Sequence, residues 1–150
     1  MSCNLMSGRK GVDKNAAAAA VAEADYLSKT EVLVEAVFED LGTKHKVLEA
    51  VERPLPEHAV SATNTSTISI ADIEKGAQRP NRVMGMQYFS PVDKKPLLEV
   101  IAHNGTDQGA AAAAADLGHK QGKAVIVVKE VPGFYLNRCL GLYLWLRAPL

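Results

Sequence analysis

The chain has 150 residues, of which 47% are hydrophobic and 23% charged, and its 17 basic side chains balance its 17 acidic ones. This composition is typical of one folded globular domain and excludes a disordered, fibrous or strongly basic nucleic-acid-binding protein. No apolar run reaches the roughly 20 residues that span a bilayer, and no targeting signal is recognisable at the start. Cys3 and Cys139 are too few for a disulfide framework and belong to no metal-ligand pattern, so we predict no metal site.

The hydrophobic pattern predicts helices and strands along most of the chain. An alanine-rich segment favours a helix at 13–27, within a leader of residues 1–28. Short β-branched runs predict strands at 31–38, 59–63, 82–89, 97–102 and 124–128. Apolar periodicity and glycine or proline stops predict helices at 41–51, 70–75, 105–122 and 134–146. This alternation predicts an α/β fold with a mostly parallel sheet and flanking helices.

Polar side chains follow three of the predicted strands. Ligands of open parallel sheets bind beyond the carboxyl ends of the strands. That rule selects residues 37–39 (VFE), 64–66 (NTS) and 87–90 (QYFS). A hydrophobic core alone does not require polar groups at these places, so we predict a ligand site there.

The glycine-rich turn of dinucleotide-binding folds is not recognisable. Such a turn follows a strand and holds the pyrophosphate at a helix N-terminus. Gly8 and Gly11 are the only early glycines, and no apolar strand precedes them. The beginning of the chain is therefore interpreted as a disordered leader.

Five collinear motifs nevertheless carry a family resemblance. They are VEAVFEDL at 34–41, NTST at 64–67, GMQYFSPVD at 85–93, LLEVI at 97–101 and VPGFYLNR at 131–138. In order and spacing they resemble the NAD-binding domain of the 3-hydroxyacyl-CoA dehydrogenases, above all the dehydrogenase part of the multifunctional fatty-acid β-oxidation subunits of mitochondria and bacteria. The resemblance implies an incomplete Rossmann-like, doubly wound fold over residues 29–145. It also implies that residues 146–150 are a truncated end, without the helical domain that follows in relatives.

The resemblance implies NAD-dependent oxidation of a 3-hydroxyacyl-CoA to the 3-oxoacyl-CoA. In the family a histidine takes the hydroxyl proton and a glutamate orients it; these two catalytic positions fall on Gln87 and Glu99. A carboxamide is no base at neutral pH, and losing a general base costs a factor of about 10²–10⁴. Without its histidine partner, we expect Glu99 either to be protonated or to turn toward solvent.

The remaining site residues are likewise implied by the resemblance. Positions matching the cofactor-binding residues are Val37, Phe38, Glu39, Lys44, Ser66 and Ser90, and those matching substrate contacts are Ser66 and Asn137. The four histidines, none of which follows the third strand, are predicted to be solvated surface groups: His45, His58, His103 and His119.

Three hypotheses of different classes follow. The first is a partial dehydrogenase domain with low activity, acting on 3-hydroxyacyl-CoA, as a homo-oligomer or in a β-oxidation complex. The second is a non-catalytic module for nucleotide or acyl-CoA binding or for assembly, and the third a non-functional fragment. The resemblance is compatible with a mitochondrial or peroxisomal location in a eukaryote and a cytoplasmic one in a bacterium.

Overall fold

The computed structural model describes residues 25–147. The strands are β1 (Val32–Glu35), β2 (Val60–Thr63), β3 (Val83–Tyr88), β4 (Leu97–Ala102) and β5 (Ala124–Lys129). The helices are α1 (Leu41–Glu52), α2 (Ile70–Ile73), α3 (Gln108–Lys120) and α4 (Leu136–Arg147), with short 3₁₀ helices at Asp25–Lys29, Glu74–Gly76 and Pro80–Arg82. Most of the helix predicted at 13–27 lies outside the described residues, and its last three residues belong to a 3₁₀ helix instead.

The five strands form one sheet in the order in which they occur along the chain. The pairs β1–β2, β2–β3 and β4–β5 are parallel, whereas β3–β4 is antiparallel. Residues 89–96 join β3 to β4 without a helix, and a parallel return needs a crossover of a dozen or more residues. The prediction of a mostly parallel α/β sheet is confirmed, and the short connection accounts for the reversal.

Helices cover both faces of the sheet. On one face α3 packs the small side chains of Ala110 and Ala114 against Met84, Met86 and Val100. On the other face the core consists of residues from α1, α2, two strands and the turn before α4: Leu48, Ile70, Ile73, Val83, Ile101 and Phe134. This two-sided packing is the doubly wound arrangement expected of Rossmann-like domains.

The last strand and helix differ most from the buried elements. β5 lies at one edge of the described sheet, and Val127 is 56% exposed there. Large apolar side chains of α4 are exposed as well, among them Trp145 at 74%. None of the helices within residues 25–147 has the length and apolarity needed to cross a membrane.

Candidate functional site

A buried ion pair lies beneath the carboxyl ends of β1 and β2. Lys44 Nζ of α1 donates to Glu35 Oε1 at 2.9 Å, to Thr63 Oγ1 at 3.1 Å and to the carbonyl of Asn64 at 3.1 Å. The other Glu35 oxygen accepts from the Val37 amide at 2.9 Å. These contacts tie the end of β1, the end of β2 and α1 to one another. Sequence reasoning missed Glu35, although a carboxylate at the end of an apolar strand signals a required partner.

Lys44 is more deeply buried than the neighbouring residues that were expected to line a cofactor, Val37 and Phe38. Its side chain is 0% exposed, and its three donors match its three oxygen partners. Val37 is half-buried and Phe38 is 55% exposed at the same end of β1. The structure therefore buries Lys44 and leaves Phe38 exposed.

Glu39 anchors the loop that follows β2. Its Oε1 accepts from the Thr65 hydroxyl at 2.6 Å, the Ser66 amide at 2.9 Å, and the Thr67 amide and hydroxyl at 3.0 and 3.1 Å. Because one carboxylate receives backbone and side-chain donors from three successive residues, it fixes the position of Ser66. Ser66 itself is exposed.

The same contacts lower the pKa of Glu39. Partial burial raises the pKa of this carboxyl group, but the hydrogen bonds from Thr65, Ser66 and Thr67 together outweigh that effect and hold the pKa below its usual range. The group is therefore a carboxylate at neutral pH, and the loop depends on its charge.

A side-chain bond joins the ends of β2 and β3. Asn64 Oδ1 accepts from the Tyr88 amide at 3.1 Å. Tyr88 directly follows Gln87, which is 3% exposed near the end of β3. The loop that carries Ser66 thus begins beside Gln87.

Gln87 and Glu99 lie directly opposite each other in the antiparallel β3–β4 pair. Both face the side of the sheet that holds Ile101, since alternate residues of a strand share a face. Glu99 is 0% exposed, and Glu99 Oε2 and Gln87 Oε1 are buried without a hydrogen-bond partner among the described residues.

The other oxygen of Glu99 is bonded to the start of α4. Glu99 Oε1 accepts from the Leu136 amide at 2.8 Å and the Tyr135 amide at 3.2 Å. Positive φ angles at Gly133 (76°) and Phe134 (51°) turn the chain so that these amides face β4. The helix N-terminus supplies free N–H groups and a favourable dipole, so the expectation that Glu99 turns toward solvent is wrong.

Asn137, one residue further along, connects this helix to the Ser66 loop. Its Nδ2 donates to the Ser66 carbonyl at 3.1 Å. A continuous set of contacts therefore links Glu39 to Ser66, Ser66 to Asn137, and the start of α4 to Glu99, which faces Gln87. Ser90 is exposed just beyond β3, and no contact with this set is described for it. The roles assigned to all these residues stay predictions.

The histidines lie elsewhere. His58 and His119 are exposed as expected, and His45 is half-buried with Nε2 2.9 Å from the Asp72 carbonyl. His103 is 9% exposed and lies 2.9 Å from Glu74, so its prediction as a solvated group is wrong. Nowhere in residues 25–147 do three or more metal-ligating side chains cluster.

Comparison with known proteins gives the family. The family described as "3-hydroxyacyl-CoA dehydrogenase, NAD binding domain" matches residues 8–131. Fatty acid oxidation complex subunit alpha of Shewanella loihica is 48% identical over 118 residues, and that of Shewanella amazonensis is 49% identical over 114. The two alignments cover 79% and 76% of this chain but 17% and 16% of the relatives, so the chain spans about a sixth of their length.

Solved structures agree with this match. The (S)-3-hydroxybutyryl-CoA dehydrogenase of Ralstonia eutropha superposes with a TM-score of 0.74 at 34% identity, over 83% of this chain and 47% of that one. A 3-hydroxyacyl-CoA dehydrogenase of Archaeoglobus fulgidus gives 0.72 at 32% identity, over 81% and 42%. With its two-sided sheet and linked strand ends, the chain belongs to the NAD-binding-domain family of the 3-hydroxyacyl-CoA dehydrogenases.

Proposed function

We propose that this chain is the NAD-binding part of a protein that oxidises 3-hydroxyacyl-CoA to 3-oxoacyl-CoA in fatty-acid β-oxidation, and that its own rate is low. The observation that carries the proposal is the set of contacts from Glu39 through Ser66 and Asn137 to Glu99. It brings residues from four distant parts of the sequence to one end of the sheet. The relatives that support it are bacterial. Self-association or a β-oxidation complex is part of the same proposal.

The described residues fit one end of a dinucleotide. Phe38 offers an exposed ring at the end of β1, and the Ser66 and Thr67 hydroxyls lie on the loop that Glu39 holds nearby. We propose that Val37, Phe38 and the Ser66 loop hold NAD, with Ser90 completing the site. Glu39 and Lys44 hold these residues in position, Glu39 through its hydrogen bonds to the Ser66 loop and Lys44 through its bonds to the ends of β1 and β2. NAD held there would supply the hydride acceptor for the oxidation of the 3-hydroxyl group.

The residues of this chain account for binding better than for proton transfer. Ser66 and Asn137 present a hydroxyl and an amide where a substrate oxygen would be recognised, and Asn137 also fixes the Ser66 carbonyl. Gln87 occupies the position of the proton acceptor but is no base at neutral pH. We therefore expect a rate about 10²–10⁴ below that of a histidine-containing site.

The Oε1 atom of Gln87, unpartnered among the described residues, also favours a second function. A buried amide oxygen without a partner can accept a hydrogen bond from a donor group of a ligand. A non-catalytic module that binds nucleotide or acyl-CoA would keep such a site. This module is the alternative that the experiment below must separate from a slow enzyme.

The test measures binding and turnover in the same samples. NAD is titrated into the full chain by calorimetry, and NADH formation from 3-hydroxybutyryl-CoA is followed for the chain and for Gln87→His. NAD binding together with a higher rate in Q87H supports the dehydrogenase. NAD binding with no turnover in either protein supports the module. Absence of NAD binding, together with a non-cooperative thermal unfolding curve, contradicts both and indicates a non-functional fragment.

A further inference from the structure

Glu130 bonds the segment that follows the Ser66 loop. It comes directly after β5, and its amide donates to the Ala102 carbonyl of β4 at 2.9 Å, so the sheet fixes its backbone. Glu130 Oε1 accepts from the Ser69 hydroxyl at 2.6 Å and from the Ala71 amide at 3.0 Å. Hydrogen bonds to a carboxylate are stronger than those between neutral groups. The side chain therefore ties the start of α2 to the β5 edge of the described sheet.

The Ser66 loop is thus bonded to a carboxylate at each end. On the side of β2, Glu39 accepts from the amides of Ser66 and Thr67 at 2.9 and 3.0 Å. On the side of α2, Glu130 holds Ser69. Because each fixed residue removes backbone freedom, a short segment bonded at both ends has few conformations available. The position of Ser69 therefore limits the position of Ser66.

The chain that follows Glu130 contacts the same segment again. Phe134 belongs to the same buried cluster as Ile70 of α2. Asn137 Nδ2 then donates to the Ser66 carbonyl at 3.1 Å. The two segments therefore lie side by side, with Glu130 fixing one end of their contact and Asn137 the other.

We propose that Glu130 is a positioning residue that sets where the Ser66 loop presents its hydroxyl groups to NAD. The inference rests on the proposed function, because it takes the Ser66 loop as part of the cofactor site. Glu130 acts through its bonds to the neighbouring residues of the segment and not by contact with NAD. Its two partners, Ser69 and Ala71, lie 61 and 59 residues away in the sequence, so the motif at 131–138 gave no sign of this role.

The test is a double-mutant cycle on NAD affinity, measured by calorimetry on the full chain. Glu130→Ala removes both hydrogen bonds and should weaken NAD binding about tenfold, since residues joined in one hydrogen-bond network couple by that order. In a chain that already carries Ser66→Ala, the same substitution should weaken binding by about threefold or less, because the hydroxyl that Glu130 positions is gone.

The outcomes separate this proposal from the proposed function. If the parent chain binds NAD and Glu130→Ala binds it equally well, or if its effect is the same with and without Ser66→Ala, the positioning role is wrong and the proposed function stands. If the parent chain does not bind NAD, both are wrong.

A second measurement follows the loop without a ligand. The amides of Ser66 and Thr67 are bonded to Glu39 and not to Glu130, so their hydrogen exchange reports what Glu130 does at a distance. Exchange there should be faster in Glu130→Ala, and unchanged exchange contradicts the proposal. If Glu130→Ala does not unfold cooperatively, Glu130→Gln takes its place. It keeps the volume and one acceptor but not the charge, and should weaken NAD binding about threefold.

Asp107→Ala is the matched control. Asp107 Oδ1 accepts from the Ala110 amide at 2.9 Å at the start of α3, as Glu130 accepts from an amide at the start of α2. Loss of this helix cap should lower the Tm but leave NAD affinity and the exchange at Ser66 unchanged. A loss of NAD affinity equal to that of Glu130→Ala would show that general destabilisation accounts for the effect, and would overturn the proposal.

Discussion

Replacing Lys44 by methionine tests whether this residue supports the site from beneath or contacts the cofactor. The substitution keeps an unbranched side chain as far as the ε position but removes the ammonium group, which is bonded to three oxygens in a side chain that is 0% exposed. It leaves the Glu35 carboxylate, 4% exposed, with only the Thr63 hydroxyl and the Val37 amide as donors. Removing one partner of a buried ion pair costs about 3–5 kcal/mol.

That loss is large compared with the total stability of a domain, about 5–15 kcal/mol. We expect K44M to lower the free energy of unfolding by about 3–5 kcal/mol and the Tm by roughly 10–20 °C. Urea unfolding followed by circular dichroism measures the change, with an unchanged m-value showing that the two-state comparison holds.

Two control variants test whether the unpaired buried charge causes the loss of stability in K44M. Lys120→Met removes one partner of an exposed pair, where the side chains of Lys120 and Asp116 are 49% and 60% exposed, and should change stability by under about 1 kcal/mol. The double variant Glu35→Gln with Lys44→Met leaves no buried charge unpaired and should recover much of the loss.

A K44M variant that loses less than about 1 kcal/mol would refute the reasoning. If that stable variant instead binds NAD more weakly, the ammonium group contacts the cofactor and does not serve mainly to support the strand ends.

Three further predictions concern the site and its packing. Because the pKa of Glu39 is lowered in the folded chain, its stabilising effect is present above the unfolded pKa of about 4.3 and is lost as the pH falls through the lower folded value. The difference in urea midpoint between the parent chain and Glu39→Gln should therefore narrow from pH 6 to pH 3, and a constant difference would contradict this. Gly85→Ala should cost about 1–3 kcal/mol in urea unfolding, since its Cβ would lie 2.8 Å from Ile101 Cδ1 and 3.0 Å from Ile101 Cβ. Gly42→Ala, whose Cβ would lie 3.7 Å from Asp40 Oδ1, should be nearly neutral. In Gln87→His, NADH formation should rise with pH through about 6.5 as the imidazole loses its proton, a dependence that the parent chain should lack.

The sequence predicted helices and strands well where the hydrophobic pattern and the glycine or proline residues that end an element agree. The strand predicted at 97–102 has the bounds of Leu97–Ala102, and the helix predicted at 41–51 ends one residue later, at Glu52. The strand predicted at 31–38 was too long. Only Val32–Glu35 pairs with β2, because Glu35 bonds the Val37 amide and the chain leaves the sheet there. Apolar character continues past the last ladder bond, so the pattern alone cannot show where pairing stops.

The environment of the charged side chains could not be predicted in the same way. Glu99 was expected either to be protonated or to turn toward solvent, and the second alternative is wrong because the side chain is buried and bonded to the amides of Tyr135 and Leu136. Those donors come from 36 and 37 residues further along the chain, and only the turn at Gly133 and Phe134 directs them to β4. Similarly, the burial of Lys44 depends on Thr63 and Asn64 of another strand end.

The sequence by itself determined the order of helices and strands, the α/β class and the family motifs, and it predicts Gln87 at the position of the family histidine. These depend on residue type and near-neighbour spacing, which the chain carries without folding. Only the tertiary structure decided that Glu39 and Lys44 are bonded to the loop and strand ends, and that Gln87 Oε1 and Glu99 Oε2 are buried without a partner among residues 25–147. The physical reason is that hydrogen bonds and burial depend on distances between groups far apart in the chain, and those distances exist only once the sheet has formed.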